Sequence, residues 1–113
     1  MIAGNPVMSA DSLVGNDVKN NANEDLGDIK DFMIDCQSGK VAYAVLGFGG
    51  VFGIGEKLFA VPMSALTLDT EEECFRLNST KEYLKNAPGF DSDNWPNMAD
   101  PAWVDEIHSF YKF

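Results

Sequence analysis

Residues 39–62 combine two apolar segments with a glycine-dense connection between them. In residues 41–48 the apolar positions occupy both parities, which predicts a strand that is covered on both faces. Residues 58–61 form a shorter apolar segment, and Pro62 is expected to end its ladder because proline has no backbone N–H to donate. This arrangement is typical of the wall of a small β-barrel.

Shorter extended segments lie on both sides of this region, at residues 14–19, 28–36, 66–68 and 75–77. The apolar residues of the second segment change parity, which predicts a β-bulge near Asp31. Residues 37–40 predict a tight turn in which Gly39 takes a positive φ. Six or so short strands at hairpin spacing predict a mainly β fold, a small antiparallel barrel, because closure of a sheet removes its exposed edges.

The last third of the chain predicts two short helices. Ser79 and Glu82 match a capping box, so a helix is expected from about Thr80, with Tyr83 and Leu84 pointing inward. Its C-terminal stop is the sequence at residues 87–89.

Asp100 and Pro101 match an N-cap followed by proline at the first helical position, which predicts a final helix to about residue 112. One apolar stripe runs along it, formed by Trp103, Ile107, Phe110 and Tyr111. A helix this short is marginal alone, so the stripe must dock on the barrel or on a partner subunit.

The charge balance limits the classes of partner. The chain has 113 residues, enough for one domain, with 8 basic and 18 acidic side chains and a net charge of −10. Such a surface repels nucleic-acid phosphates and anionic lipids, so we expect no direct nucleic-acid binding.

No apolar run is long enough to span a bilayer, and residues 1–8 do not form a signal peptide. We therefore expect a cytoplasmic protein without membrane insertion, a periplasmic location being the alternative if a leader has been removed.

The motifs that suggest chemistry are incomplete. The glycine cluster Gly47–Gly55 has Phe52 where a dinucleotide fingerprint needs glycine, and Glu56 where a phosphate loop needs lysine. His108 and Asp105 share a helix face, but no nucleophile elbow accompanies them. Residues 91–96 begin like a calcium loop and then depart from its ligand pattern. We expect no enzyme, no cofactor and no metal site.

Two apolar groups are candidates for binding a partner. Phe52 and Ile54 lie at the tip of the glycine-rich hairpin, where they either form a contact surface or fold back and plug one end of the barrel. The helical stripe Trp103, Ile107, Phe110 and Tyr111 is either intramolecular core or the seam of a homodimer. Cys36 and Cys74 form no recognisable disulfide framework, and free thiols are the default.

Three segments together resemble the PRC-barrel family: DLGDIKDFMID at residues 25–35, SGKVAYAV at 38–45 and KLFAVP at 57–62. The resemblance covers about residues 12–80, and residues 83–103 resemble the extension of stand-alone bacterial members. It implies a six-stranded barrel at 12–80, after a flexible arm at 1–11 and before a helical extension at 81–113. The family shares its barrel with the H subunit of photosynthetic reaction centres and with a ribosome maturation factor.

The resemblance implies a non-catalytic adaptor or assembly module that binds protein partners, and we predict a homodimer. One alternative is an accessory role in RNA or ribosome maturation through protein contacts, since ribosomal proteins are basic. Another is a peripheral modulator of photosynthetic electron transfer. A small-molecule-binding protein that uses the Gly47–Gly55 loop is a further alternative. The resemblance brings no catalytic residues with it.

Overall fold

The computed structural model describes residues 7–48 and 56–112. Within them, the strands are β1 Asp17–Lys19, β2 Asp25–Asp35, β3 Lys40–Phe48, β4 Lys57–Pro62, β5 Leu66–Asp69 and β6 Cys74–Leu77. The helices are α1 Ala10–Leu13, α2 Lys81–Lys85 and α3 Pro101–Phe110, and a 3₁₀ turn, Met63–Ala65, joins β4 to β5. The six strands form one sheet in the order β4-β3-β2-β1-β6-β5, curled into a half-barrel. The predicted mainly β fold with a helical C-terminal part is confirmed.

One strand pairing in the sheet differs from the antiparallel pattern expected from hairpin spacing. Strand β1 runs antiparallel to β2 but parallel to β6, with Val18 opposite Phe75 and Lys19 opposite Arg76. The sheet is therefore mixed. Hairpin spacing describes neighbours along the chain, and this pair joins its first and last strands.

Strand β2 has the predicted irregularity. Its register against β3 shifts between Ile29 and Asp31, which confirms the expected bulge, and shifts again between Met33 and Ile34. The strand ends in a turn where Gly39 has φ +76°, as predicted. Because a bulge changes which face a side chain occupies, β2 contributes apolar residues to both faces of the sheet.

Strand β3 passes through the centre of the core. Tyr43, Ala44, Val45 and Leu46 are all buried, so coverage of both faces is confirmed for this part of the strand. Val41, at the start, is instead 38% exposed. The hairpin of β2 and β3 thus extends beyond the core at its turn end.

The predicted N-cap is confirmed for α3 and wrong for α2. Asp100 caps α3 by accepting the N–H of Ala102 at 3.0 Å, with Pro101 at the first position, as predicted. The predicted cap of α2 was wrong: Thr80, not Ser79, accepts the N–H of Tyr83 at 3.1 Å.

Helix α2 buries one of the two side chains expected to point inward. Leu84 is buried, whereas Tyr83 is exposed. No helix in the described part of the chain is long and apolar enough to cross a membrane.

The N-terminal region contains a helix that the sequence did not predict. Residues 1–6 of the expected arm lie outside the described residues, but Ala10–Leu13 forms α1, capped by Ser9. Gly15 follows with φ +92° and donates its N–H to the carbonyl of Ile29 at 2.8 Å. As a consequence β1 begins at Asp17, three residues later than expected.

A polar cluster surrounds Asn20, whose side chain is buried at the turn after β1. The Asn20 side-chain oxygen accepts the N–H groups of Ala22 and Glu24, and its Nδ2 donates to the Glu24 carboxylate and to the carbonyl of Ser79. Arg76 donates from Nη1 to the carbonyl of Asn20 at 2.9 Å and to the side chain of Asn23 at 2.7 Å. This cluster holds the β1–β2 turn against β6, next to the parallel pairing.

We predict that Asn20→Ala lowers the free energy of unfolding by about 2–3 kcal/mol, because it leaves two part-buried backbone donors and the buried carbonyl of Ser79 without their partner. Urea denaturation followed by circular dichroism measures the change. Asn86→Ala is the control, since exposed Asn86 makes one local bond to the carbonyl of Glu82, and should cost under about 0.5 kcal/mol. Equal losses for the two variants would contradict the role of the cluster.

Gly27 in β2 allows a close approach between two strands. Its φ is +133°, and a Cβ at this position would overlap the carbonyl oxygen of Gly47 on β3. The neighbouring atom belongs to the backbone of a central strand, so it cannot move aside without disturbing the ladder.

Gly27→Ala should therefore destabilise the fold by about 3 kcal/mol or more, combining backbone strain with overlap in the sheet. Gly39→Ala is the matched control: φ is also positive, but a Cβ there meets no atom within 4 Å, so only about 1–2 kcal/mol of strain is expected. Denaturation midpoints compare the two. A loss at Gly27 no larger than that at Gly39 would show that the strands can separate.

Candidate functional site

An open groove of about 490 Å³ lies where the turn end of the β2–β3 hairpin meets the start of α3. One wall comes from the hairpin and the other from residues that precede and begin α3. We call this the hairpin–helix groove; it is lined by Met33, Ile34, Asp35, Cys36, Ala42, Tyr43, Met98, Ala99 and Val104. Most of these side chains are apolar, and Asp35 supplies the carboxylate.

The hairpin wall is shaped by the turn after β2. The Asp35 carboxylate accepts the N–H of Gln37 at 3.0 Å and that of Ser38 at 3.4 Å, while the carbonyl of Asp35 accepts the N–H of Gly39. The backbone hydrogen bonds from Gln37 and Ser38 lower the pKa of Asp35. The groove therefore carries a negative charge at neutral pH.

The helix wall is fixed by the packing of α3. Ile107 is fully buried in the core, and Trp103 packs edge-on against the ring of Tyr43 with centroids 5.2 Å apart. The Tyr43 hydroxyl lies 3.1 Å from Nε2 of His108. These contacts attach α3 to strand β3 and so set the width of the groove.

The apolar lining is unusually accessible for side chains of this kind. Ile34 is 50% exposed and lies directly opposite Val41 in the hairpin, which is also exposed. Cys36, at the end of the wall, is an exposed free thiol, whereas Cys74 is a buried one. An exposed apolar surface of this kind is typical of an interaction site.

The structure places the predicted partner-binding residues in different environments. Phe52 and Ile54 lie outside the described residues. Ile107 and Tyr111 are buried in the core of the monomer, as the intramolecular alternative for the stripe expected.

The other two stripe residues, Trp103 and Phe110, are half-buried. Phe110 stacks on Tyr83 with centroids 4.3 Å apart, and the Tyr83 hydroxyl donates to the Phe110 carbonyl at 2.7 Å. The stripe thus serves mainly as intramolecular core.

The start of the glycine-rich loop has an acidic environment. Gly47 is a buried β3 residue, and a Cβ there would press against the side chains of Lys30 and Glu56. Lys30 pairs with Glu56 at 3.3 Å and with Asp28 at 3.2 Å, and the hydrogen bond to Asp28 is the main cause of its raised pKa.

The adjacent cavity of about 400 Å³ is lined by four carboxylates, those of Asp17, Asp25, Asp28 and Glu56, with Lys81 beside them. The atoms that a Cβ at position 47 would meet are the ends of the flexible Lys30 and Glu56 side chains, and the carboxylates beside them would repel a phosphate. Residues 49–55 of the loop lie outside the described part of the chain.

Comparison of the sequence with known protein families gives one match. A sequence model of the PRC-barrel domain matches residues 5–84, about 70% of the chain. The chain belongs to the PRC-barrel family. No curated protein matches its sequence.

Among solved structures, a 16S ribosomal RNA processing protein, RimM, from Pseudomonas aeruginosa is similar in fold, with a TM-score of 0.44 and 16% sequence identity. The alignment covers 68% of this chain and 46% of the RimM chain, so less than half of that protein is represented here.

Only the hairpin wall of the groove lies within the region that the PRC-barrel model matches. Met33 to Tyr43 lie within the matched region, whereas Met98, Ala99 and Val104 lie beyond residue 84. The groove is therefore built partly from the family's barrel and partly from the segment that follows it.

The sequence did not indicate the groove because its two walls are far apart in the chain. The residue that could have indicated it is Ile34, an apolar side chain next to the predicted hairpin turn. The expected bulge near Asp31 is present, but a second register shift precedes Ile34, and its side chain is exposed. His108 was considered with Asp105, but the structure places its Nε2 beside the Tyr43 hydroxyl.

Proposed function

We propose that this PRC-barrel protein is a non-catalytic adaptor or assembly module that binds a basic protein partner in the cytoplasm. The observation that carries the proposal is the hairpin–helix groove, an accessible apolar recess on an acidic molecule. Exposed apolar side chains in a recess are the usual anchors of protein interfaces. The net charge adds selectivity, since opposite charge speeds association and like charge rejects wrong partners.

Ribosome maturation through protein contacts is one setting that fits such a module, because ribosomal proteins are basic. RimM is described as a 16S ribosomal RNA processing protein, but the fold similarity is too weak to transfer that role. The net charge of −10 supports contact with a basic protein rather than with RNA itself. A role in photosynthetic electron transfer rests on the family resemblance alone and stays a prediction.

Affinity capture from a bacterial lysate tests the proposal, with the captured proteins identified by mass spectrometry. We expect capture of proteins with a strong basic surface, which survives nuclease treatment and weakens between 50 and 300 mM salt, because screening shortens the range of charge attraction. Each captured protein is then purified and titrated against this chain. Capture that disappears after nuclease treatment would indicate RNA binding and would overturn the proposal.

We also propose that the chain forms a homodimer through the stacked pair of Tyr83 and Phe110. Tyr83 is exposed, and Phe110 is half-buried beside it, so the pair presents aromatic surface next to α2 and α3. This assignment replaces the buried part of the stripe, Ile107 and Tyr111, as the site of self-association.

If the pair forms the seam, Phe110→Asp should convert a dimer of twice 12.4 kDa into a monomer, because a charge would be buried without a partner. Size-exclusion chromatography with light scattering gives the mass, and circular dichroism confirms folding. Trp95→Asp, at an exposed aromatic residue in the loop before α3, should leave the mass unchanged. A monomeric wild-type protein, or a dimeric Phe110→Asp variant, would remove the pair as the seam.

A further inference from the structure

We infer that the hairpin–helix groove is the binding site for a basic partner segment, and that this segment inserts apolar side chains between Ile34 and α3 while its Lys or Arg residues face the acidic rim. The inference rests on the proposed function and specifies its site and the chemistry of the partner.

The dimensions of the groove fit side chains rather than a whole domain. At about 490 Å³ it is within the range of roughly 300–1,000 Å³ that binding clefts usually have. Ile34, Met33 and Val104 offer aliphatic and thioether surface on opposing walls. Methionine adapts to different shapes because its side chain is unbranched and polarisable. The walls can therefore accommodate one or two aliphatic or aromatic anchors.

The negative charge at the groove and on the whole molecule favours a segment of positive charge. Asp35 lines the groove on its hairpin wall, and its carboxylate is what we call the acidic rim. It is exposed, and the hydrogen bonds of its turn lower its pKa, so it is ionised at neutral pH. Lys40 lies opposite Asp35 in the hairpin but does not line the groove. The whole molecule carries a net charge of −10, which together with Asp35 favours a cationic segment.

The same charges disfavour the other occupants of an apolar groove. A second copy of this chain would bring another molecule of net charge −10 against the acidic rim. Nucleic acid and anionic lipid carry phosphates, which the rim repels. A segment with apolar anchors between Lys or Arg residues satisfies both the lining and the rim.

Cys36 provides a local measure of occupancy. It is an exposed thiol within the lining, while Cys74 is buried and serves as an internal reference. Alkylation by iodoacetamide, a neutral reagent, is followed by mass spectrometry with and without a peptide. A peptide in the groove should slow modification of Cys36, and Cys36→Ser should remove the reactive thiol.

Three synthetic dodecapeptides serve as probes: alternating Lys and Leu, alternating Glu and Leu, and alternating Lys and Ser. We expect the Lys–Leu peptide to slow Cys36 alkylation at least fivefold, and the other two to change it less than twofold, because binding needs both charge and apolar anchors. Equal protection by the Glu–Leu peptide would overturn the charge requirement. Equal protection by the Lys–Ser peptide would overturn the requirement for anchors, and no protection by any peptide would overturn the site.

Matched variants locate the binding site. Ile34→Lys should weaken Lys–Leu peptide binding at least tenfold in a fluorescence titration, whereas Val14→Lys, at a similarly exposed side chain outside the groove, should change it less than twofold. Asp35→Asn keeps the acceptor oxygen of its turn and should weaken binding at 50 mM salt more than at 300 mM.

Asp25→Asn is the matched control for charge, since Asp25 also accepts an N–H two residues ahead, that of Gly27, but lines the cavity beside Gly47. If Asp25→Asn weakens binding more than Asp35→Asn, the peptide occupies that cavity and the inference is wrong. If a basic lysate protein still binds Ile34→Lys at full affinity, the groove is refuted while the proposed function stands.

Discussion

The fold depends on the parallel pairing of β1 with β6. Without it, the molecule would consist of a β1–β2–β3–β4 meander and a separate β5–β6 hairpin, and an isolated two-stranded hairpin is at best marginally stable in water. Strand β1 joins them because it pairs with β2 on one side and with β6 on the other. The ladder between β1 and β6 is short, with two residue pairs, so the polar cluster of Asn20 and Arg76 supplies the remaining connection.

This dependence explains what the sequence could and could not predict. Local signals worked where local chemistry decides: the bulge near Asp31, the positive φ of Gly39 and the cap at Asp100 are set by residues close to one another. The pairing of Val18 with Phe75 was not predictable from spacing, because many strands compete for an edge and the choice depends on burial across the whole chain. Tyr83 was misplaced for a similar reason, since its position depends on its contact with Phe110 on another helix.

The candidate site was less predictable than the fold. The sequence indicated apolar residues on the final helix, but their spacing cannot distinguish core from surface, and Ile107 proved to be fully buried. The groove instead uses Ile34, next to a turn, and Val104, on the flank of α3. In the proposed recognition of a protein, its apolar composition and the surplus of carboxylates act on different steps, charge on encounter and apolar contact on residence.

The groove has walls of different origin, since the barrel supplies one and the segment after residue 84 supplies the other. Mutations in Met98, Ala99 or Val104 can therefore reshape the recess without disturbing strand pairing. A relative that keeps the barrel and replaces this tail would offer a different recess on an unchanged scaffold. The tail therefore has two tasks, since Ile107 and Tyr111 fill the core while Met98, Ala99 and Val104 shape the recess.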